Sequence, residues 1–246
     1  MCATSFLTPG QQRDIIELLQ HTGHMARARV WGGFFGAERG CILLFPDYAV
    51  ELCDPSLQGA AAVEELLTLC GEEDPVCALH IRGSGFCKLT HRDYLGSLLS
   101  LGLEREVLGD IELLDEHSAY LFCRTVMASY IQESLLRVGG DKVTVQTVHV
   151  GADFASQRKV QLIHDTVASA RLDCVVASLA NLSREDAQQI IRDGRVELEY
   201  RAEEHVDRPV QPPASLSIRG IGKFRVLSIA TQTKKGRFRM SAERFV

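Results

Sequence analysis

Apolar residues recur at helical spacing near the start of the chain. The stretch "LTPGQQRDIIELLQH" predicts a helix with Thr8 as N-cap, Pro9 at the first helical position and Gln11 closing a capping box. Its predicted apolar side consists of Ile15, Ile16, Leu18 and Leu19. A buried strand at 41–45 and a second helix, "AAAVEELLTLC", follow before "GEEDP" breaks the pattern. We therefore place a domain boundary there.

The middle of the chain changes between the strand and helix periods in a regular order. The strands are "VCALHIRG", "REVLGDIELLD", "SAYLFCR" and "DKVTVQTV", and the helices are "THRDYLGSLLSLG" and "VMASYIQESLLRVG". The predicted apolar sides of these helices are Tyr94, Leu95, Leu98 and Leu99, then Val126, Tyr130, Ile131, Ser134 and Leu135. The order β-α-β-β-α-β is that of the ferredoxin-like split βαβ, which RNA-recognition (RRM) domains share. Such domains stack bases on strand aromatics, but the usual motif is absent here, so we expect Tyr120 and Phe122 to be core residues.

The last third begins with a stretch, "RKVQLIHDTVAS", that we interpret as a connection. Two helices follow. The first has its apolar side at Leu172, Val175, Val176 and Leu179. Ser183 is expected to cap the second helix in a capping box with Asp186, while Ala187, Ile190 and Ile191 point inward. Gly194 suits a left-handed residue at the end of that helix.

These patterns predict an α+β protein in three parts. We place an N-terminal α+β domain at 1–72, an RRM-like βαββαβ domain at 73–152, a linker at 153–169 and a C-terminal domain at 170–246. The hydrophobic content of 46% and the charged content of 24% are typical of a globular chain. We expect no membrane span, no secretory signal and a cytoplasmic location.

Charge and cysteine content narrow the function classes. The net charge is −5, but residues 156–246 carry 16 Lys and Arg against 11 Asp and Glu, whereas 1–155 carry 11 against 21. A basic module on an acidic body indicates a local anionic partner, although two differently solvated surfaces would give the same split. None of the eight cysteines forms a C-x-x-C pair, so we expect reduced buried thiols and no metal site.

The basic residues of the last third follow two elements. Arg184, Gln188 and Arg192 are four residues apart and form one ridge of a helix, with Arg195 at its end and Arg171 at the start of the preceding helix. Neither Arg184 nor Arg192 is predicted to pack inward. Such a ridge would hold phosphates, although a solvated helix side explains it equally well by itself.

The C-terminal tail adds a second basic element. Lys223 and Arg225 alternate with Phe224 and Val226, and "TQTKKGRFRMS" predicts a hairpin. Gly236 would allow the turn, with Lys234 and Lys235 at the tip and Arg237 and Arg239 on one side of the return strand. Two basic elements together favour an anion-binding surface.

The segment "RLDCVVASLANLSREDAQQIIRDGRVEL", followed by "SIRGIGKFRV", resembles the S4 RNA-binding domain, a small α-L fold. The matching positions are Arg171, Leu172, Asp173, Ser183, Arg184, Ala187, Ile191, Gly194 and Val196. The resemblance implies that the start of the first helix and the exposed side of the second contact structured RNA. The predicted RNA-binding residues are Arg171, Ser183, Arg184, Gln188, Arg192, Arg195, Lys223, Lys234, Lys235 and Arg237. The loop "ELEYRAEEHVDRP" is more acidic and longer than the S4 pattern.

The whole chain resembles the YlmH family of S4 proteins. The stretches that carry this resemblance are "GGFFGAERGCILLFPDY", "LTHRDYLGSLLSLGLEREVLGDI" and "TKKGRFR". It implies a non-enzymatic protein that binds rRNA, with tRNA as a further candidate, and associates with the large ribosomal subunit in the rescue or quality control of stalled subunits. We expect no cofactor, and we expect no membrane and no DNA among the partners.

An enzyme remains the alternative function class. Arg171-Leu172-Asp173 could be mistaken for the catalytic motif of pseudouridine synthases, but here the triplet opens the S4-like helix. The motifs of tyrosyl-tRNA synthetases and a complete G-x-G-x-x-G are absent from the sequence. The alternative is therefore an RNA-modifying enzyme, pseudouridine-synthase-like or methyltransferase-like, with its catalytic site in 1–150 and the S4-like domain as a targeting module. A pocket with convergent polar groups between the first two domains would favour it.

Overall fold

The computed structural model describes residues 1–151, 154, 156, 160–232 and 236–245, without the side chains of 231 and 232. The chain divides into two compact units, Met1–Gln157 and Arg158–Val246. Among the described residues, no helix is long and apolar enough to cross a lipid bilayer.

The first unit begins with a small three-stranded sheet and its helices. The elements are β1 (Cys2–Ala3), α1 (Pro9–His21), β2 (Ala28–Trp31), β3 (Cys41–Leu44), α2 (Asp47–Leu52) and α3 (Gly59–Cys70). The strands lie in the order β1-β3-β2, with antiparallel neighbours. The predicted capping box of α1 is confirmed: the Thr8 hydroxyl accepts from the Gln11 amide, and the Gln11 side chain accepts from the Thr8 amide at 2.9 Å.

The buried side of α1 differs from the prediction at one position. Leu19 is buried and Ile15 and Ile16 are half-buried, but Leu18 is 60% exposed. Leu18 lies about 100° around the helix from Leu19, so it falls outside the stripe. Gln12 occupies the stripe instead, and its side-chain amide donates to the Leu7 carbonyl at 3.0 Å and the Glu38 carbonyl at 2.9 Å. A buried glutamine with satisfied hydrogen bonds thus replaces a predicted apolar contact.

The second half of this unit contains a five-stranded sheet. Its elements are β4 (Val76–Gly83), α4 (His91–Ser100), β5 (Leu108–Leu113), β6 (Ser118–Arg124), α5 (Ala128–Ser134), β7 (Arg137–Val138) and β8 (Asp141–Val148). The strand order is β5-β6-β4-β8-β7, again with antiparallel neighbours. The element order that we predicted from the sequence is present, with the short β7 as an addition.

Both helices of this half depart in detail from the predicted apolar sides. Tyr94 and Leu98 are buried, whereas Leu99 is 40% exposed. Helix α5 is shorter than expected because Val126 lies in a 3₁₀ turn, Thr125–Met127, where its side chain is 81% exposed. Tyr130 is also largely exposed, so Ile131 is the residue of α5 that anchors it in the core.

Tyr120 and Phe122 are core residues, as predicted. Phe122 is fully buried, and its ring centroid lies 4.6 Å from that of Phe34 in the N-terminal part. Tyr120 is half-buried, with its ring 5.6 Å from Phe154. The residues on both sides of the boundary predicted at "GEEDP" therefore pack into one hydrophobic core. They are also joined by Arg39, whose Nε donates to the Leu108 carbonyl at 3.0 Å.

The second unit is a six-stranded sheet covered on one side by two helices. Its elements are β9 (Val160–Val167), α6 (Leu172–Ala180), α7 (Arg184–Arg192), β10 (Val196–Leu198), β11 (Arg201–Ala202), β12 (Ala214–Ile218), β13 (Gly222–Gln232) and β14 (Phe238–Phe245). The strand order is β11-β10-β12-β13-β14-β9. Residues 160–167 were predicted to be part of a connection, but they form β9, an edge strand paired with β14 from Val160↔Phe245 to Val167↔Phe238.

The core of this unit agrees closely with the predicted helix phases. The four predicted positions of α6 are buried, as are Ala187 and Ile191 of α7, and Phe224 and Val226 pack beneath them from β13. Asn181 (φ 53°) ends α6, and Gly194 (φ 65°) follows α7, both in the left-handed region. Because the amide of Gly194 donates to the Ile191 carbonyl at 3.0 Å, the predicted stop signal is confirmed.

We predict that Ile191→Ala destabilises the second unit. Ile191 has no exposed surface, so truncation leaves a cavity beneath α7 and should lower the free energy of unfolding by about 2–5 kcal/mol. Hydrogen exchange of peptides from 172–192 in the full chain measures this. Leu162→Ala is the control because Leu162 is 58% exposed and should change stability by at most about 0.5 kcal/mol. Equal protection in both variants would contradict the assigned packing.

Candidate nucleic-acid interface

The helix pair of the second unit encloses one carboxylate. Asp173 lies in the first turn of α6, among Leu172, Cys174 and Val175, and its side chain is fully buried. Helix α7 begins after Ser183, whose hydroxyl accepts from the Asp186 amide at 3.1 Å. This cap fixes where α7 starts and therefore which of its side chains face Asp173.

Three polar side chains converge on the Asp173 carboxylate. Arg171 donates from Nε to Oδ1 at 3.2 Å and from Nη2 to Oδ2 at 3.4 Å. Arg184 donates from Nε to Oδ2 at 2.9 Å, and Gln188 donates from Nε2 to Oδ2 at 2.8 Å. A buried carboxylate is costly unless it is paired and hydrogen-bonded, and these donors come from the start of α6 and from one ridge of α7. The ion pairs thus tie the two helices together.

These contacts keep Asp173 ionised. Burial alone raises the pKa of the Asp173 carboxyl, but hydrogen bonds from Gln188, Arg171 and Arg184 outweigh burial and lower the pKa to about 2. Because the folded pKa is below the unfolded value of about 4, the stabilisation is complete above that value and is lost as the pH falls towards 2. At neutral pH the carboxylate therefore holds both guanidinium groups.

The same contacts leave a charged surface. The side chain of Arg171 is 41% exposed and that of Arg184 is 55% exposed, so each guanidinium bonds Asp173 on its inner side and faces solvent on the other. Guanidinium groups held in place lose less entropy when they bind phosphate. Arg184 differs from the prediction that it does not pack inward, because it reaches a buried partner. The feature of the sequence that could have revealed this buried partner is an acidic residue on an otherwise apolar helix.

Two further arginines extend this surface along α7. Arg192 is exposed and makes no hydrogen bond or ion pair with any residue that the structure describes. Arg195 is exposed beyond Gly194, and its Nη2 donates to the Arg219 carbonyl at 3.1 Å. Arg219 lies in the turn between β12 and β13 and was missed as a candidate from the sequence. We call Arg171, Arg184, Gln188, Arg192, Arg195 and Arg219 the helix cluster.

Lys223 does not belong to this cluster. Because Phe224 and Val226 face the helices, the alternation of the strand puts Lys223 and Arg225 on the opposite face of the sheet. The Nζ of Lys223 lies 5.2 Å from the ring centroid of Tyr200 and 6.0 Å from that of Phe245. These are cation–π distances, so Lys223 contributes to a separate aromatic and basic surface.

The remaining predicted residues belong to the sequence between β13 and the start of β14. Gly236 has φ 76°, as the predicted turn requires. Arg237 is exposed, but it hydrogen-bonds Thr166 of β9 through the Thr166 hydroxyl at 3.0 Å and through its carbonyl. Lys234 and Lys235 lie outside the described residues. Of the ten predicted RNA-binding residues, the structure therefore brings together those of α6 and α7, including the Ser183 cap, whereas Lys223 lies on the opposite face of the sheet and Arg237 bonds β9.

The acidic loop after β10 begins with a tight turn. Glu199 and Tyr200 both adopt positive φ, 53° and 63°, in a two-residue turn between β10 and β11. The Ser215 amide donates to the Glu199 carboxylate at 2.5 Å, and its hydroxyl donates to the Tyr200 hydroxyl oxygen at 3.1 Å. Side-chain contacts to β12 thus hold a turn that usually requires Asn or Gly.

Known proteins resemble this chain in sequence. A family model described as "Putative RNA-binding domain in YlmH" matches residues 76–152. The "Ribosome-associated protein quality control protein P2" of Bacillus subtilis is 30% identical over 247 aligned residues, which cover 99% of this chain and 87% of that protein. A solved structure, "Cell division protein ylmH from Streptococcus pneumoniae", is 21% identical and covers 60% of this chain and 78% of that chain, with a TM-score of 0.43.

We predict that Asp173→Asn weakens RNA binding although it makes the unit more positive. Loss of a negative charge alone would strengthen binding to phosphate, whereas release of Arg171 and Arg184 should weaken it about 5- to 50-fold. The substitution should also lower the free energy of unfolding by about 2 kcal/mol. Titration with a large-subunit rRNA fragment, well below the melting temperature, measures the affinity.

Glu185→Gln is the control for this test. It removes one negative charge from the exposed side of the same helix pair, and we expect it to bind RNA at least as tightly as the original chain. If Asp173→Asn also bound more tightly, the carboxylate would not position the arginines for RNA.

A second prediction separates Arg192 from Arg184. Arg192→Gln should flatten the plot of log affinity against log salt by about 0.7–0.9, because one phosphate contact is lost, and should leave stability unchanged. Arg184→Gln should weaken binding too, but it should also lower the free energy of unfolding by about 1–2 kcal/mol because its bond to Asp173 is lost. Titrations at several salt concentrations and chemical denaturation measure both quantities. Identical stability of the two variants would contradict the structural role of Arg184.

Proposed function

Because the chain belongs to the YlmH family, we propose that it is a ribosome-associated RNA-binding protein that docks on structured RNA through its second unit. The observation that carries this proposal is the helix cluster, in which a buried carboxylate holds guanidinium groups at the surface. Fixed guanidinium groups in a row recognise phosphates of a folded backbone better than mobile ones do.

The assignments of both domains rest on their topology. We assign 170–246 to the S4 fold because two capped helices pack on one face of a sheet and carry the polar cluster on their exposed side. We assign 73–152 to an RRM-like fold. Its support is the antiparallel order β5-β6-β4-β8 with two helices on one face. The two proposals are independent of each other.

The name of one relative supports a ribosomal context. The Bacillus subtilis protein is named for ribosome-associated quality control. We propose that this chain acts in the same process, in the cytoplasm, on large subunits that have stalled, with rRNA as the docking site and tRNA as a second contact. Backbone contacts of the kind that the helix cluster offers suit both RNAs, since both are folded.

A non-enzymatic role is favoured over an RNA-modifying one. A catalytic aspartate must reach its substrate, whereas Asp173 is fully buried and holds three side chains. In the first unit, Phe34, Phe45 and Leu66 pack against Val76 and Phe122 where the alternative reading required a polar cleft between the first two domains. Both observations support a binding module.

We predict that the full chain co-sediments with large ribosomal subunits and that a chain lacking 156–246 does not. The second unit carries 16 basic against 11 acidic residues, so its loss removes the anion-binding surface. Sucrose gradients at low and moderate salt measure the distribution. Arg192→Gln in the full chain is the matched variant, because it keeps the fold and should shift the protein partly towards the top of the gradient. A truncated chain that still travels with the subunit would contradict the proposed docking domain.

A further inference from the structure

One aromatic side chain of the first unit is almost fully exposed. Phe86 is 93% exposed, more than any other large apolar side chain among the described residues. It lies at the tip of the loop 84–88, between β4 and α4, next to Gly85 with φ 91°. A ring with so little contact with the rest of the protein contributes little to folding and is available to a partner.

The loop is held firmly at both ends. The Ser84 amide donates to the buried Asp141 carboxylate at 2.9 Å, and the Ser84 hydroxyl donates to the same carboxylate. At the other end, the Leu89 amide donates to the Glu116 carbonyl at 2.8 Å, and a ring nitrogen of His117 bonds the Cys87 carbonyl at 2.8 Å. Since the base of the loop is fixed, the ring of Phe86 is displayed in a defined place.

The sequence of the loop is basic, which suits an anionic partner, although the carboxylates of Asp141 and Glu116 bond its two ends. Residues 82–92, "RGSGFCKLTHR", contain Arg82, Lys88 and Arg92 and no acidic residue. The 155 residues from Met1 to Ala155 carry 21 acidic against 11 basic residues, so this is a local reversal of sign. Lys88 also bonds Glu116 at 2.5 Å, whereas Arg82 and Arg92 are exposed on either side of the loop in sequence.

The sheet of the same half offers little aromatic surface to a base. Phe122 is fully buried against Phe34, and Tyr120 packs at 5.3 Å from His80 and 5.6 Å from Phe154. A contact between this half and RNA must therefore use another aromatic. Phe86 is exposed to solvent, whereas Phe122 is buried, so Phe86 can reach a base.

We propose that Phe86 stacks on an unpaired base of single-stranded RNA, while Arg82 and Arg92 contact the phosphates on either side. Stacking on an aromatic ring is tolerant of base identity, and adjacent cations follow the backbone. This contact rests on the proposed RNA-binding function and adds a single-strand site in the first unit to the structured-RNA surface of the second.

The test uses the full chain and a short oligouridylate that carries one 5-iodouridine. We expect photocrosslinking to residue 86, and we expect Phe86→Ala to weaken binding of the oligouridylate about 5- to 50-fold. Because the side chain is 93% exposed, the variant should melt at the same temperature as the original chain. Loss of affinity would then report the contact and not the fold.

Three further substitutions complete the test. Phe35→Ala removes another exposed ring, 72% exposed, from the same unit but outside the basic stretch, and it should leave the affinity unchanged. Phe86→Tyr keeps an aromatic face and should bind like the original chain, whereas Phe86→Leu should bind as weakly as Phe86→Ala. If Phe86→Leu kept full affinity, the contact would be apolar, as in docking of a protein, and the stacking proposal would fail.

The outcome also separates this inference from the proposed function. If the chain binds an rRNA fragment but crosslinks to the oligouridylate only within 158–246, the Phe86 site is wrong and RNA binding by the second unit stands. If the chain binds neither RNA, the proposed function itself fails. Where the original chain does bind the oligouridylate, an unchanged affinity in Phe86→Ala would overturn the inference.

Discussion

The ionised carboxylate of Asp173 is the interaction on which the second unit depends. A buried charge costs several kcal/mol unless hydrogen bonds compensate for it. Here the compensation comes from Arg171 at the start of α6 and from Arg184 and Gln188 on α7. Because the buried carboxylate requires these hydrogen bonds, it holds the two helices together. It also positions two exposed guanidinium groups.

Because of this arrangement, some residues contribute both to the stability of the second unit and to binding. Arg184 serves both, because its Nε bonds Asp173 while much of its side chain is exposed. Arg192, two turns further along the same ridge, is exposed without a described partner and is available for binding alone. Arg184 and Arg192 are equally spaced along one helix ridge but have different roles. The difference arises because only Arg184 bonds the buried Asp173.

The sequence predicted what local periodicity determines. The phases of α6 and α7, the end of α7 at Gly194, and the burial of Phe224 follow from spacing and caps. It did not predict the partners of Asp173, which lie 11 and 15 residues away along the chain and meet it only through packing. Strand β9 was missed because its apolar residues do not alternate regularly with polar ones, so the stretch looks like a connection.

The distribution of charge limits where RNA can be held. An acidic first unit repels phosphate over the range of the Debye length, about 10 Å at moderate salt, so indiscriminate binding there is disfavoured. A basic stretch such as 82–92 must therefore act at short range, through contacts that outweigh this repulsion. The two proposed sites would raise each other's effective concentration if a single RNA assembly reached both. Each could then be weak alone, and tight binding would require an RNA that offers a folded backbone and an unpaired base together.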